Sequence, residues 1–270
     1  MQYASYTSDE LTHFLGRGCR CDDERYRLLV KVLHSGQLRA SGISGASEDT
    51  LALLSITGNK RISDETAIQG QIVCFCDIPL ASLGLHMRKY SRFGIAFSKS
   101  FLVARGANPV FYVVKDTVLP GISAVPTGSG SIEPRRDVTH AELLDQIHTE
   151  SMAQSTPIRD MMFGSDNPDL AKLLYRVEHL RQQLYETVLA FIKPFDSAEP
   201  EESDLNFYME REWRVYGDVR FQMVDVRRII LPSSYLDSFK GEFRELRWGV
   251  TPLGEPGDGD YCVCVTTLGL

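Results

Sequence analysis

The chain has 270 residues and a mass of 30.4 kDa, with 43% hydrophobic residues, enough to bury a full core as one large domain or two small ones. Its formal charge of −7, from 29 basic and 36 acidic residues, disfavours broad non-specific binding to nucleic acid and leaves room only for local basic patches. No apolar run approaches the roughly 18 residues of a membrane span, and the polar start with Asp9 and Glu10 lacks the features of a secretory signal, so a cytoplasmic protein with no membrane partner is expected.

Residues 11–15 form a short apolar segment, after which Asp22 or Asp23 can cap a helix carrying Leu28, Leu29, Val32 and Leu33 on one face, with Gly36 as its stop. Residues 41–70 are polar with scattered glycine and read as a loop over a pocket. A strand is predicted at 72–76, then a helix with Asp77 and Pro79 at its start, running through Leu80, Leu83, Leu85 and Met87 to end at Tyr90. Residues 93–97 alternate as a strand, and Pro109 introduces a β-prone run at 110–114.

The stretch 119–137, rich in Gly, Pro and Ser, leads into a helix from 138 to about 152. A longer helix starts at a cap on Asp166 or Asn167, with Pro168 in its first turn, and runs to Phe191. Leu170, Leu173, Leu174, Val177, Leu180, Leu184 and Val188 keep helical spacing, so this helix is expected to bury them in the core. An acidic stretch at 196–204 precedes a strand around Glu210, and further strands are predicted at 221–231, 243–248 and 261–267, with a loop at 251–259. Strands at both ends and helices between them indicate an α+β domain over 1–270, with a mainly antiparallel sheet and a helical insertion at about 138–193.

The six cysteines fall as three C-x-C pairs: Cys19 and Cys21, Cys74 and Cys76, Cys262 and Cys264. Structural zinc sites use C-x(2–4)-C turns, which do not occur here, and Val73, Phe75, Val263 and Val265 place the later pairs in strands. Reduced core thiols are expected, and no metal site. G-x-G-x-x-G, G-x-x-x-x-G-K-[ST], H-E-x-x-H and G-x-S-x-G are all absent, which argues against Rossmann, P-loop, zincin and serine-hydrolase chemistry.

What remains is N-F-Y-M-E-R-E-W-R at 206–214. In an extended strand Glu210 and Glu212 share one face while Arg211 and Trp213 share the other. A repeated carboxylate on such a face points either to catalysis or to pairing with Arg211, Arg214 or Arg244 on a solvated surface. His13, in L-T-H-F-L, reads as a satisfied strand residue or as a ligand group. His86, Tyr90 and Phe93 read as core aromatics or as a cofactor platform. Arg88, Lys89, Arg92 and Lys99 read as a solvated helix end or as a phosphate-guiding patch.

The segments L-T-H-F-L-G-R, V-L-H-S-G-Q-L, V-C-F-C-D-I-P-L, H-M-R-K-Y-S-R-F-G-I-A-F-S-K, N-P-V-F-Y-V and E-R-E-W-R resemble the AbiGi-type abortive infection proteins of bacteria. These are in turn similar to the ADP-ribosyltransferase superfamily, so the resemblance implies an ADP-ribosyltransferase-like split sheet with NAD as substrate. His13 would hold the adenosine-side ribose, Tyr90 would stack on nicotinamide, and Phe93 and Arg88 would complete the NAD site. Glu212 would stabilise the sugar cation, and Glu210 would serve the acceptor, a protein or a nucleic acid. The chain departs from the superfamily pattern in having no Ser-Thr-Ser segment. Three roles stay open: a toxin or effector enzyme in anti-phage defence, a non-catalytic regulator or antitoxin bound to a cognate partner, and an NAD glycohydrolase.

Overall fold

A computed structural model describes residues 8–40, 54–65, 67–79, 82–120, 137–200, 203, 206, 208–253 and 262–267. Residues 41–53, 121–136 and 254–259 of the expected loops, Leu80 of the expected helix and parts of the acidic stretch lie outside the described residues. The first eight strands are β1 (Glu10–Phe14), β2 (Gln37–Leu38), β3 (Leu54–Ile56), β4 (Ile68–Gly70), β5 (Ile72–Cys76), β6 (Gly94–Ser98), β7 (Asn108–Pro109) and β8 (Phe111–Val114). They are followed by β9 (Val118–Leu119), β10 (Val138–Thr139), β11 (Ile192–Phe195), β12 (Glu212–Tyr216), β13 (Val219–Arg220), β14 (Val226–Pro232), β15 (Trp248–Leu253) and β16 (Cys262–Thr267). The helices are α1 (Asp22–Ser35), α2 (Leu83–Lys89), α3 (Lys99–Val103), α4 (His140–Gly164), α5 (Pro168–Thr187) and α6 (Leu236–Glu242). None of them is long and apolar enough to cross a membrane. The chain divides into two units, one of residues 1–41, 71–109 and 209–270, the other of 42–70 and 110–208. The helical insertion expected at 138–193 falls within the second.

The first unit is built on an eight-stranded sheet in the order β15-β16-β14-β6-β1-β5-β12-β7, with every neighbouring pair antiparallel. This is the mainly antiparallel sheet of an α+β protein. Alternation along the strands gives it two different faces. One carries Leu11, Val73, Phe75, Ile95, Phe97, Val215 and Ile229 into the main core, where α1 adds Leu29, Val32 and Leu33. The first turn of α1 holds Asp22, Asp23 and Glu24, which favour the positive end of the helix dipole. Gly36 ends it at φ 60°, and a Cβ there would stand 2.5 Å from the Phe221 carbonyl oxygen, so both backbone and space require glycine. On the other face α2 packs Leu83 and Met87 against Phe14, Cys76, Ile78, Ile230 and Leu253.

Three predicted elements of this unit differ. Helix α2 starts at Leu83 behind Ser82, not at Pro79. The strand expected at 221–231 is broken by a 3-10 turn at Met223–Asp225, because the Asp225 carboxylate accepts the Gln222 N–H and closes the turn before β14 begins. The strand expected at 243–248 is mostly the turn that follows α6: Phe243 packs on Phe239, Trp248 packs there too, and β15 starts only at Trp248.

The second unit contains the α4–α5 hairpin, the β3–β4 hairpin, the β9–β10 pair and β8 paired in parallel with β11. Residues 54–70, expected as loop, therefore carry two short strands. Helix α4 begins two residues later than predicted, because Thr139 and Glu142 form a capping box, and continues past 152 through Pro157 to Gly164. Helix α5 is capped by the Asn167 side chain and stops at Thr187, where the chain tightens into a 3-10 turn at Leu189–Phe191. Its inner contacts centre on fully buried His148, whose Nδ1 lies 2.8 Å from the Tyr185 hydroxyl and whose Nε2 lies 3.1 Å from the Thr57 carbonyl oxygen. The prediction that the apolar stripe of α5 is buried is overturned: Leu170, Leu173, Val177, Leu180, Leu184 and Val188 are exposed.

Candidate functional site

The strand that carries the two glutamates begins only at Glu212. Glu210 closes a 3-10 turn, Tyr208–Glu210, and Arg211 between them takes the left-handed conformation at φ 43° while its carbonyl accepts the Asp77 N–H at 3.1 Å. For a residue with a Cβ this costs on the order of 1 kcal/mol. The pair is thus not an alternating strand face, as expected, but a kink that leaves both carboxylates buried, Glu210 at 7% and Glu212 at 6% exposure.

Around Glu210 stands the end of α2. Its Oε1 accepts a hydrogen bond from the Tyr90 hydroxyl and lies 3.2 Å from Lys89 Nζ. Tyr90 caps α2, and its ring is flanked by the Arg17 guanidinium at 5.1 Å and the Lys89 ammonium at 5.7 Å. Burial, reinforced by the Glu210 carboxylate, raises the Tyr90 pKa and keeps its proton in place. His86, one turn earlier, has its ring 5.9 Å from Tyr90; burial pushes its pKa down to about 4, against the opposing pull of Glu210.

Glu212 lies opposite Cys76 of β5 and is gripped by Arg214, with Nε 2.7 Å from Oε1 and Nη2 3.4 Å from Oε2. Alternation puts Arg214 on the same face of β12 as Glu212, so strand geometry itself supplies this partner. The pairing with Arg214 that the sequence raised is therefore present, but in a buried setting. Cys76 beside it is a free thiol whose pKa is pushed up to about 12, first by burial, so it stays protonated. Cys19, Cys21 and Cys74 are also in no disulfide, and Cys21 and Cys74 are exposed where core thiols were expected.

His13 stands elsewhere. On β1 it pairs with Ile95, and its ring sits 5.7 Å from Phe75, while the preceding Thr12 is the residue aligned with Cys76 and hence with Glu212. Strand alternation therefore directs His13 and Glu212 to opposite faces of the sheet. His13 Nδ1 meets the Cys74 carbonyl oxygen at 2.7 Å, and burial lowers its pKa. It lines a cavity of about 290 Å³ with Lys31, Val32, Leu38 and Arg39.

Phe93 has no exposed surface and packs edge-on to Tyr235 in the main core, which leaves it no face to offer a ligand. Arg88 is exposed. The basic cluster beside it is not an open patch, since Lys89 pairs with Glu210, Arg92 with Asp22 and Lys99 with Asp77. The structure thus gathers Tyr90, Glu210 and Glu212, adds Arg17, Lys89, His86 and Arg214, and keeps His13 and Phe93 apart from them. The sequence singles out His86 with Tyr90, whereas Arg17 carries no sequence signal for this role, because only the tertiary fold brings it to the Tyr90 ring. Among the described residues no three His, Cys, Asp or Glu side chains gather as a metal-ligand set.

No curated protein and no solved structure matches the chain. The family described as "Putative abortive phage resistance protein AbiGi, antitoxin" matches residues 55–237, a span that holds Tyr90, Glu210, Glu212 and all of α5 but stops short of His13. With more than half of its length in that match, and with the buried glutamate cluster inside it, the chain belongs to the AbiGi family.

Proposed function

We propose that this chain acts in abortive phage resistance as an antitoxin, holding a cognate toxin by binding rather than by chemistry of its own. The family description supports the role. The observation that carries the non-catalytic part is the engagement of both glutamates. A carboxylate that stabilises a developing sugar cation has to face the position where that charge appears. Glu212 instead holds a guanidinium at 2.7 Å, and Glu210 holds a tyrosine hydroxyl and an ammonium. Withdrawing Arg214 from this buried carboxylate would cost roughly 3–5 kcal/mol.

A second reading is favoured by one specific observation: Tyr90, Glu210 and Glu212, which the resemblance to ADP-ribosyltransferases implicates together, do lie together. In that reading the chain transfers ADP-ribose from NAD to a protein or nucleic-acid acceptor, or hydrolyses NAD, with Glu212 at the sugar cation and Glu210 on the acceptor side. His13, on the opposite face of the sheet from Glu212, takes no part in this reading, and Arg88 would meet phosphate.

Incubation with labelled NAD and cell extract separates the two, with growth of cells expressing the chain alone as a second measurement. The antitoxin reading expects unimpaired growth, unconsumed NAD and no transferred label. Label transfer by the wild type that disappears in Glu212→Gln overturns it in favour of the transferase, and NAD loss without transfer favours the hydrolase.

A further inference from the structure

Helix α5 is inverted relative to an ordinary surface helix. The row facing its own unit is Leu174, Glu178, Arg181 and Tyr185, half of it charged: Glu178 lies 2.6 Å from Arg181 and 3.0 Å from Arg159 of α4, and Arg181 also reaches Met152 sulfur. The row facing outward is Leu170, Leu173, Val177, Leu180, Leu184 and Val188, with Leu173 at 58% and Leu180 at 64% exposure. A solvated helix face is normally polar, and a continuous exposed apolar stripe marks a surface that something covers.

The spacing of this stripe says what shape covers it. Its members follow one another at alternating steps of three and four residues through Leu184, the repeat of about 3.5 residues by which one helix presents a seam to another. At about 1.5 Å per residue the seam from Leu170 to Leu184 runs for roughly 21 Å. Such a seam accepts the apolar face of an amphipathic helix.

The charges beside the stripe say which helix. Helical spacing sets Lys172, Arg176, His179 and Gln183 in a row along its outer flank, all exposed, with Asp169 at the first turn pairing with Lys172 at 3.6 Å. The middle of this flank is basic. A second copy laid antiparallel on the stripe would bring that basic row against itself, whereas a helix with an acidic flank would complement it.

We propose that the outward stripe of α5 is the surface on which a different protein docks an amphipathic α-helix flanked by Asp or Glu. This rests on the antitoxin reading, in which that protein is the toxin. Leu173, Val177 and Leu180 form the centre of the seat, and Lys172 and Arg176 set the orientation and the choice of partner.

The test uses the full chain and two synthetic helical peptides that share a leucine seam and differ only in Glu or Lys at the flanking positions, with binding read by fluorescence anisotropy. The Glu-flanked peptide is expected to bind at least about tenfold tighter than its Lys-flanked twin, a difference of about 1.4 kcal/mol. Lys172→Glu with Arg176→Glu inverts that preference. Leu173→Glu with Leu180→Glu removes binding of both peptides while the circular dichroism and thermal midpoint stay as in the wild type. Equal binding of the two peptides, absence of binding, or a fall in thermal midpoint for the leucine variants overturns the proposal. So does a wild-type dimer in sedimentation equilibrium that Leu180→Glu dissociates, since that assigns the stripe to a second copy. Co-expression with the toxin of its own locus tells the two failures apart: a wild type that does not restore growth defeats the antitoxin reading, and a leucine variant that restores growth as well as the wild type defeats only the docking surface.

Discussion

The glutamate cluster of the first unit and helix α5 of the second invert the usual distribution of polarity in opposite directions. One buries two carboxylates, a lysine and an arginine against strands and a helix end; the other leaves six apolar side chains in solvent while a glutamate and an arginine face inward. Charges taken inside must be paired and hydrogen-bonded, and these are, although the buried Nε2 of His86 beside them has no hydrogen-bond partner among the described residues. Apolar groups left outside have no such internal remedy, and they stay incomplete until another surface covers them. The contrast argues that chemistry-bearing residue types and the working surface of this protein do not coincide, a pattern suited to a neutralising partner.

The largest effect that would sharpen this contrast is expected at Arg214. Arg214→Ala removes the guanidinium that Glu212 holds at 2.7 Å in a buried setting and should lower stability by about 3–5 kcal/mol in urea unfolding. A loss below about 1 kcal/mol would mean that Glu212 is free to turn toward solvent or a ligand, and would revive the catalytic reading.

A pH series addresses the same cluster. The folded protein holds His86 neutral down to about pH 4, whereas the unfolded chain takes up a proton near 6.5. The unfolded state therefore binds more protons within that window, and the contribution of His86 is present above pH 6.5 and lost as pH falls toward 4. The expected loss is about 2–3 kcal/mol, superimposed on the titration of the carboxylates. The groups facing His86 are Glu210, Lys89 and Tyr90. His86→Gln should flatten this part of the stability profile measured between pH 7 and 4.5, and an unchanged slope would show that the ring is not held neutral.

Tyr90→Phe removes a hydroxyl that donates to Glu210 and should cost about 1–3 kcal/mol, because a buried acceptor loses a partner. At the other pole, Leu180→Ala on the exposed stripe should change stability by no more than about 0.5 kcal/mol. Leu29→Ala on α1, fully buried, serves as the control at roughly 2–5 kcal/mol. If the two leucine variants proved equally costly, the stripe would be part of the core and the comparison would collapse.

Much of the fold was legible beforehand because local rules govern it. The Gly36 stop, the Asn167 cap with Pro168 behind it, strands at 72–76 and near 94–98, and the antiparallel α+β class all follow from spacing, capping chemistry and alternation. Of the three arginines that the sequence left open as partners, Arg214 is the one that meets Glu212, since two residues on it shares the same side of the strand. The site was legible only in part. That Tyr90 meets Glu210, 120 positions further along the chain, was implied by resemblance and not by any local pattern.

The sequence by itself determined the stop of α1 at Gly36 and the start of α5 behind Asn167, which residues alternate along strands, and that no membrane-length apolar run exists. Tertiary structure alone decided three further matters. It kinked the chain at Arg211 so that both glutamates turn inward, and strand register sent His13 to the opposite face from Glu212. It also chose which of two rows on α5 faces inward, although the heptad spacing of the leucines argued for the other. Periodicity states that a helix has an apolar side; what that side meets depends on the neighbours that side-chain contacts select, and for α5 the Tyr185–His148 hydrogen bond and the Glu178–Arg159 pair hold the polar row against its own unit and leave the leucines outside.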